Sequence, residues 1–177
     1  MLDEPDGDLL KRFVQGDREA FESLFRQFEV EVFRWSVRVV RDAGAAEDVV
    51  VEAFWRAYRG RARFDPSRSF GAWMRRIATN VALDHLRTAR RGGRWDPIYK
   101  DVAAPPTSDL GVAESVALAF RKLSPTLKVI ATLALIEERP HAEIADALEL
   151  SVGAVKSRVF RAVRALRKEL TRLGIQP

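Results

Sequence analysis

Catalytic chemistry has few places to stand in this sequence. Its two histidines, His85 and His141, sit far apart, and there is no cysteine. Thiolate nucleophiles, thiolate zinc sites and disulfides are therefore excluded within the chain. No Gly-rich phosphate loop and no histidine pair at metal-ligand spacing occurs, and such motifs are what phosphoryl transfer and zinc hydrolysis require. What recurs instead is arginine and amide at helical spacing, a chemistry of recognition without bond making. Between Phe70 and Arg91, one side carries Arg75, Arg76, Asn80, Asp84, Arg87, Arg90 and Arg91. Guanidinium groups hold phosphates, and an amide donates and accepts at once toward a base edge. His85 on this stretch reads as a surface or phosphate-contact residue, not as a catalyst. A merely solvated basic face is the ordinary alternative, and this stretch alone leaves both open.

Two further clusters have the same character. In Gly60–Ser69, Arg61, Arg63 and Arg68 flank Phe64. Basic residues around an aromatic suit single-stranded DNA, the arginines on phosphates and the ring or a pocket receiving an unstacked base. A plain connecting loop with Phe64 tucked into the core is the competing reading. Near the carboxyl end, Ser151, Lys156, Ser157, Arg158 and Arg161 lead into Arg164, Arg167 and Lys168. Gly153 and Ala154 keep the start of that segment slim enough for close approach to a groove.

The elements that must position these groups are helical. Strand-like alternation is nearly absent, while three- and four-residue apolar periodicity is almost continuous. Asp8–Val14 forms a short helix ending near Gly16, and Asp17 caps a long helix with Phe21, Leu24, Phe25, Phe28, Val32, Trp35 and Val39 on one stripe. After a break at Asp42–Gly44, a helix from about Ala45 to Arg59 places Glu47 and Asp48 in its first turn, where the helix dipole favours carboxylates. Val50, Phe54 and Ala57 form its seam. Glu52, Trp55 and Arg56 lie partly off it, as a protein interface or as a boundary. The Phe70–Arg91 helix then packs through Phe70, Trp73, Ile77, Val81 and Leu83.

Residues 96–111, rich in proline and small side chains, form a linker that reaches roughly 50 Å if extended. It separates a first domain, 1–95, from a second, 112–177. The second opens with a helix through Val116, Ala119, Phe120 and Leu123. Ser124 caps, and Pro125 starts, a helix running to about Glu137. A short helix at 140–148, a three-residue turn and a helix from Val152 to about Leu173 have helix-turn-helix proportions. Ile144, Leu148, Leu150, Val155 and Val159 make its core, Ser151 its cap. Glu149 stands where such turns often place glycine and is expected to take a left-handed conformation.

Charge follows the same division. Seven basic against thirteen acidic residues up to Glu52 give way to twelve against three from Ala53 to Lys100; four against eight to Leu150 are followed by seven against one. Two separated basic blocks suggest two DNA contacts, with acidic surfaces left for a protein partner. The 177 residues, 47% of them hydrophobic, suffice for two small cores. No secretory signal or membrane-length apolar run is present, so a cytoplasmic protein is expected.

These motifs together resemble a bacterial RNA polymerase sigma factor of the extracytoplasmic-function group. GDREAFESLFRQF resembles the first core helix of the family's second region, AAEDVVVEAFWRAYR its clamp-docking helix, FGAWMRRIATNVALDHLR its minus-ten melting and reading stretch. EIADALELSVGAVKSRVFRAVRALRKEL resembles the fourth region, which reads the minus-thirty-five element. The resemblance implies an all-α, two-domain initiation factor, not an enzyme and without cofactor or metal. Asp48, Glu52, Trp55 and Arg56 would bind the polymerase clamp, and Leu127–Leu135 its flap. Phe64, Arg76, Asn80, Arg87, Arg90 and Arg91 would engage the minus-ten element, with Asp84 orienting Arg87 or Arg76. Ser151, Lys156, Ser157, Arg158 and Arg161 would engage the minus-thirty-five element. An anti-sigma factor is the further partner implied, and the free chain is expected to be a monomer. The chain departs from the family at Val51, where glutamine is common, and at Thr79, where arginine is frequent, which implies a lost phosphate contact. Pro140-His141 and Met74 are other departures. A sigma-like interaction module and a helix-turn-helix repressor remain as rival classes.

Overall fold

The computed structural model describes residues 4–91 and 111–175, with side chains placed at 4–89 and 111–175. The expected linker falls almost wholly outside the described residues, as do the side chains of Arg90 and Arg91. Every regular element among the described residues is helical. Contacts divide the chain into two compact units, Met1–His85 with Asp146–Glu149 and Leu86–Ala145 with Leu150–Pro177.

In the first unit, α1 (Gly7–Gln15) starts at Asp6 and stops at Gly16, whose φ of 91° is open to a residue without Cβ. Asp17 caps α2 (Arg18–Val40), its carboxylate accepting from the amides of Glu19 and Ala20. Arg12, bonded to the same carboxylate at 2.6 Å, is the main reason Asp17 titrates below the usual carboxylate range. Leu24, Phe28, Val32, Trp35 and Val39 are all buried along α2, as the apolar stripe required. Asp42 caps α3 (Ala43–Gly60) through the Ala45 amide at 2.6 Å. This cap starts the helix two residues earlier than expected. Glu47 and Asp48 consequently fall outside the first turn, and the dipole argument for them lapses.

A single 3₁₀ turn, Arg61–Arg63, leads into α4 (Phe70–Arg91). Arg61 is structural and not available to phosphate. It donates to the Tyr58 carbonyl at 2.8 Å, lies 4.5 Å from the Tyr58 ring centroid, and closes over Gly16. A Cβ on Gly16 would come within 2.9 Å of the Arg61 guanidinium. We expect Gly16→Ala to cost about 1–2 kcal/mol, chiefly from the left-handed backbone. Urea unfolding checks this; an unchanged midpoint would show that the turn and Arg61 relax freely.

The second unit contains α5 (Val112–Lys122), α6 (Pro125–Ala131), α7 (His141–Ala147) up to Ala145, and α8 (Val152–Arg172). Ala119, Leu123, Ala131, Ala162 and Leu166 form its buried cluster, flanked by Phe120, Leu127 and Leu170. Pro125 opens α6 as expected, but the Ser124 side chain makes no capping bond. The helix predicted to reach Glu137 changes at Thr132 into a π turn, Thr132–Ile136, closed by Glu137 N–H on the Thr132 carbonyl. This turn leaves Leu135 and Ile136 exposed while Leu133 stays buried. The helix-turn-helix follows the pattern: Ile144 and Val155 are fully buried, and Leu148, Leu150 and Val159 are half-buried. Glu149 adopts φ 54°, the left-handed conformation its position demands. Ser151 caps α8 by accepting from the Ala154 amide at 3.1 Å.

Candidate nucleic-acid interface

Two inward stripes hold α4. Phe70, Met74, Ala78 and Val81 are buried, and so are Thr79, Ala82 and Leu86. Polar contacts to α2 and within α4 lie along the second. The Trp35 indole N–H donates to Thr79 Oγ1 at 2.8 Å, and the Thr79 hydroxyl donates to the Arg75 carbonyl at 2.7 Å. Arg75 Nη1 meets Glu31 at 2.6 Å, with its guanidinium 6.0 Å from the Trp35 ring centroid. Arg75 thus belongs to the packing side. Thr79 is no missing phosphate ligand: its side chain is fully buried and completes the Trp35 donor, which would otherwise be left unsatisfied.

Fixing these residues inward turns Arg76, Asn80, Asp84 and Arg87 outward at four-, four- and three-residue steps. Arg76 and Asn80 are half-buried, and Arg87 is exposed. Among the described residues the Asn80 amide has no hydrogen-bond partner, so its donor and acceptor are both open to a base edge. Asp84 is drawn to Arg56 at 3.2 Å, which ties α4 to α3.

The loop before α4 corrects one expectation. Phe64 is only 5% exposed. It packs 4.7 Å from Trp73 and edge-on to Phe70 at 5.6 Å, which also touches Phe13 and Phe28. A ring held this way belongs to the aromatic core, as the competing reading of the loop had it. The loop reaches solvent through Arg63 and Arg68. Asp65 accepts from the Ser67 amide and hydroxyl, and these bonds, more than the nearby Arg68, hold its carboxyl below the usual range. Asp65 therefore holds the turn above the ordinary carboxylate pKa, and that contribution fades only as pH falls through its lowered value.

On α3, Asp48, Glu52, Trp55 and Arg56 share a face. Arg56 donates to Glu52 at 2.7 Å and to Asp84, the Glu52 bond being the main cause of its raised pKa, which partial burial opposes. Beside this acidic-basic lattice Trp55 is 54% and Val51 68% exposed. An exposed Trp next to an aliphatic residue one helical turn away is a composition interfaces favour.

On α8, Lys156, Ser157 and Arg161 are exposed, and Arg158 is half-buried with Nη1 3.4 Å from the Ala154 carbonyl. The Ser151 oxygen is already committed to the cap, which leaves its hydroxyl hydrogen as the group free to donate. Sequence reading passed over Phe160, which is 69% exposed among these cations. Its signal was its phase: it falls between the buried positions Val155, Ala162 and Leu166 and outside their stripe.

The Sigma-70 region 2 profile matches residues 24–92, and the Sigma-70, region 4 profile matches residues 113–166. The chain belongs to the sigma-70 family of RNA polymerase sigma factors. Within that family it falls in the extracytoplasmic-function group. It is 32% identical to the RNA polymerase sigma-H factor of Pseudomonas aeruginosa, over 96% of each chain. Identity to the ECF RNA polymerase sigma-E factor of Haemophilus influenzae is 30%, over 97% of this chain and 96% of that one. Among solved structures it resembles CnrH, determined in complex with the cytosolic domain of CnrY, at TM-score 0.58 and 27% identity, covering 94% of this chain and 97% of that one.

Proposed function

We propose that this sigma factor uses its two basic helices to bracket a promoter while α3 and the α6–π segment hold core RNA polymerase. Asp48, Glu52, Trp55 and Arg56 dock the clamp, and Leu135 with Ile136 touches the flap. Asn80 reads the minus-ten element, with Arg63, Arg68, Arg76, Arg87, Arg90 and Arg91 on phosphates and Phe64 supporting them from beneath. Ser151, Lys156, Ser157, Arg158 and Arg161 engage the minus-thirty-five element. The observation that carries this reading is the Asn80 amide, without a partner among the described residues, on the outer stripe of a helix whose inner stripe is locked. Opening the duplex costs a few kcal/mol or so per unstacked base, and capture of the exposed base and phosphates offsets it. The protein makes and breaks no covalent bond in this role.

CnrH was solved with the cytosolic domain of another protein, which favours a second protein partner here, and the family resemblance makes that partner an anti-sigma factor in the cytoplasm. With no cysteine in the chain, any thiol sensing resides in that partner. No described helix is long and apolar enough to cross a membrane.

Run-off transcription by core RNA polymerase plus this chain, on a library of genomic fragments, tests the whole reading and yields the promoter motif; no chain-dependent transcript from any fragment would sink it. For α8, we expect Lys156→Ala to weaken binding across sequences and lower the salt slope by about one. Titration of a minus-thirty-five duplex at several salt concentrations reads this out. A specificity change at one base pair with the slope unaltered would instead mark Lys156 as a base contact.

A further inference from the structure

The segment ahead of α2 lies outside the residues that match region 2, yet it grips both ends of the loop that carries Arg63 and Arg68. At the loop's start, Arg61 closes over Gly16, the end of α1. At its finish, Glu4 engages the start of α4. The Ser69 hydroxyl donates to Glu4 Oε1, and the Phe70 amide donates to Glu4 Oε2 at 3.1 Å. Between these two points Phe13 of α1 is fully buried, its ring 5.6 Å from Phe70 and 6.3 Å from Trp73, the rings on which Phe64 rests. Pro5, next to Glu4, is buried as well.

We infer that Glu4 is a positioning residue for promoter opening: its carboxylate fixes the first turn of α4 and the adjoining loop, and so sets where Arg63, Arg68 and Asn80 meet the DNA. The physical basis is the orphan amide at a helix start. Ser69 accepts from the Ala72 amide at 3.2 Å, which leaves the Phe70 amide to be satisfied from elsewhere in the chain. A carboxylate there also complements the positive end of the helix dipole. Both Glu4 oxygens are thereby committed to α4 and the loop, so the side chain orders the DNA surface without touching DNA.

This inference rests on the proposed roles of Arg63, Arg68 and Asn80. Its test assembles holoenzyme from core RNA polymerase and the full chain. Strand opening is read by permanganate on a promoter recovered from run-off transcription. Glu4→Ala is expected to reduce opening about five- to tenfold, the size of losing a helix cap, with unchanged affinity for core polymerase. Glu4→Gln keeps an acceptor for the Phe70 amide and is expected to recover most of that loss. The inference is overturned if Glu4→Ala opens the promoter as well as the parent, or better, as a displaceable stopper would. It is equally overturned if core affinity falls in parallel, which would mean general unfolding. The double change Arg63→Ala with Arg68→Ala serves as the reference arm. If that pair leaves opening intact, the DNA role of the loop fails; if it impairs opening while Glu4→Ala does not, only the positioning role fails.

Discussion

Replacing Thr79 by arginine is expected to destabilise the protein by about 3–5 kcal/mol, the cost of an uncompensated charge in a buried site. The resemblance to other sigma factors points the opposite way, since arginine is frequent at this position and would restore a phosphate contact. The structure decides between them. Thr79 is fully buried, its oxygen accepts from Trp35, and its hydroxyl hydrogen is spent on the Arg75 carbonyl. An arginine here would orphan the Trp35 N–H, bring a second guanidinium beside Arg75, and press its stem against the indole. Two controls separate these costs. Thr79→Ser retains the hydroxyl and loses a methyl group, a loss of about 1 kcal/mol. Thr79→Val retains the shape and leaves the indole N–H unsatisfied, about 1–3 kcal/mol. Urea unfolding of the full chain measures all three. Parent-like stability of Thr79→Arg, together with tighter promoter binding, would show that this side chain faces DNA.

Asn80→Ala is expected to lower open-complex formation about 10- to 100-fold, corresponding to one lost bidentate base contact of about 1–3 kcal/mol. Affinity for core polymerase should not change, because Trp55 and its neighbours are on α3. Stability should change little as well, since the amide has no partner among the described residues whose loss would be felt. The combination is diagnostic: a drop in opening with intact core binding and an intact unfolding midpoint is the mark of a DNA contact. Equal permanganate reactivity of the minus-ten bases in mutant and parent would remove Asn80 from the interface. Asn80→Asp sharpens the test, because it preserves size while placing a carboxylate near phosphates, and it should open the promoter no better than alanine.

Much of this was legible in the chain itself. Periodicity placed the helices, Asp17 and Ser151 marked helix starts, and Gly16 marked a stop, while the Asp42 cap was passed over as part of a break. The helix-turn-helix was readable down to the left-handed Glu149, because a three-residue connection between two helices leaves few backbone solutions. The alternation of basic and acidic blocks pointed to DNA and a protein partner. Four motifs in order along the chain named the family.

What periodicity cannot resolve is rotation. An apolar stripe spans about 100° or more of a helix, so residues at its edge fall on either side. Arg75 and Thr79 looked like neighbours of Asn80 on the DNA face. They turn inward because Glu31 and Trp35 on α2 satisfy them, partners 44 residues away with no local signature. Phe64 could serve as a base platform or as a core residue, and the packing of its ring on Phe70 and Trp73 favours the core. Glu4, an unremarked acid near the start, finds the first amide of α4 across 66 residues. A two-part helical sigma factor follows from the chain alone. Tertiary contacts settle which side of α4 is locked inward, because orphan polar groups are satisfied by whatever donor or acceptor the fold brings near, not by position along the chain.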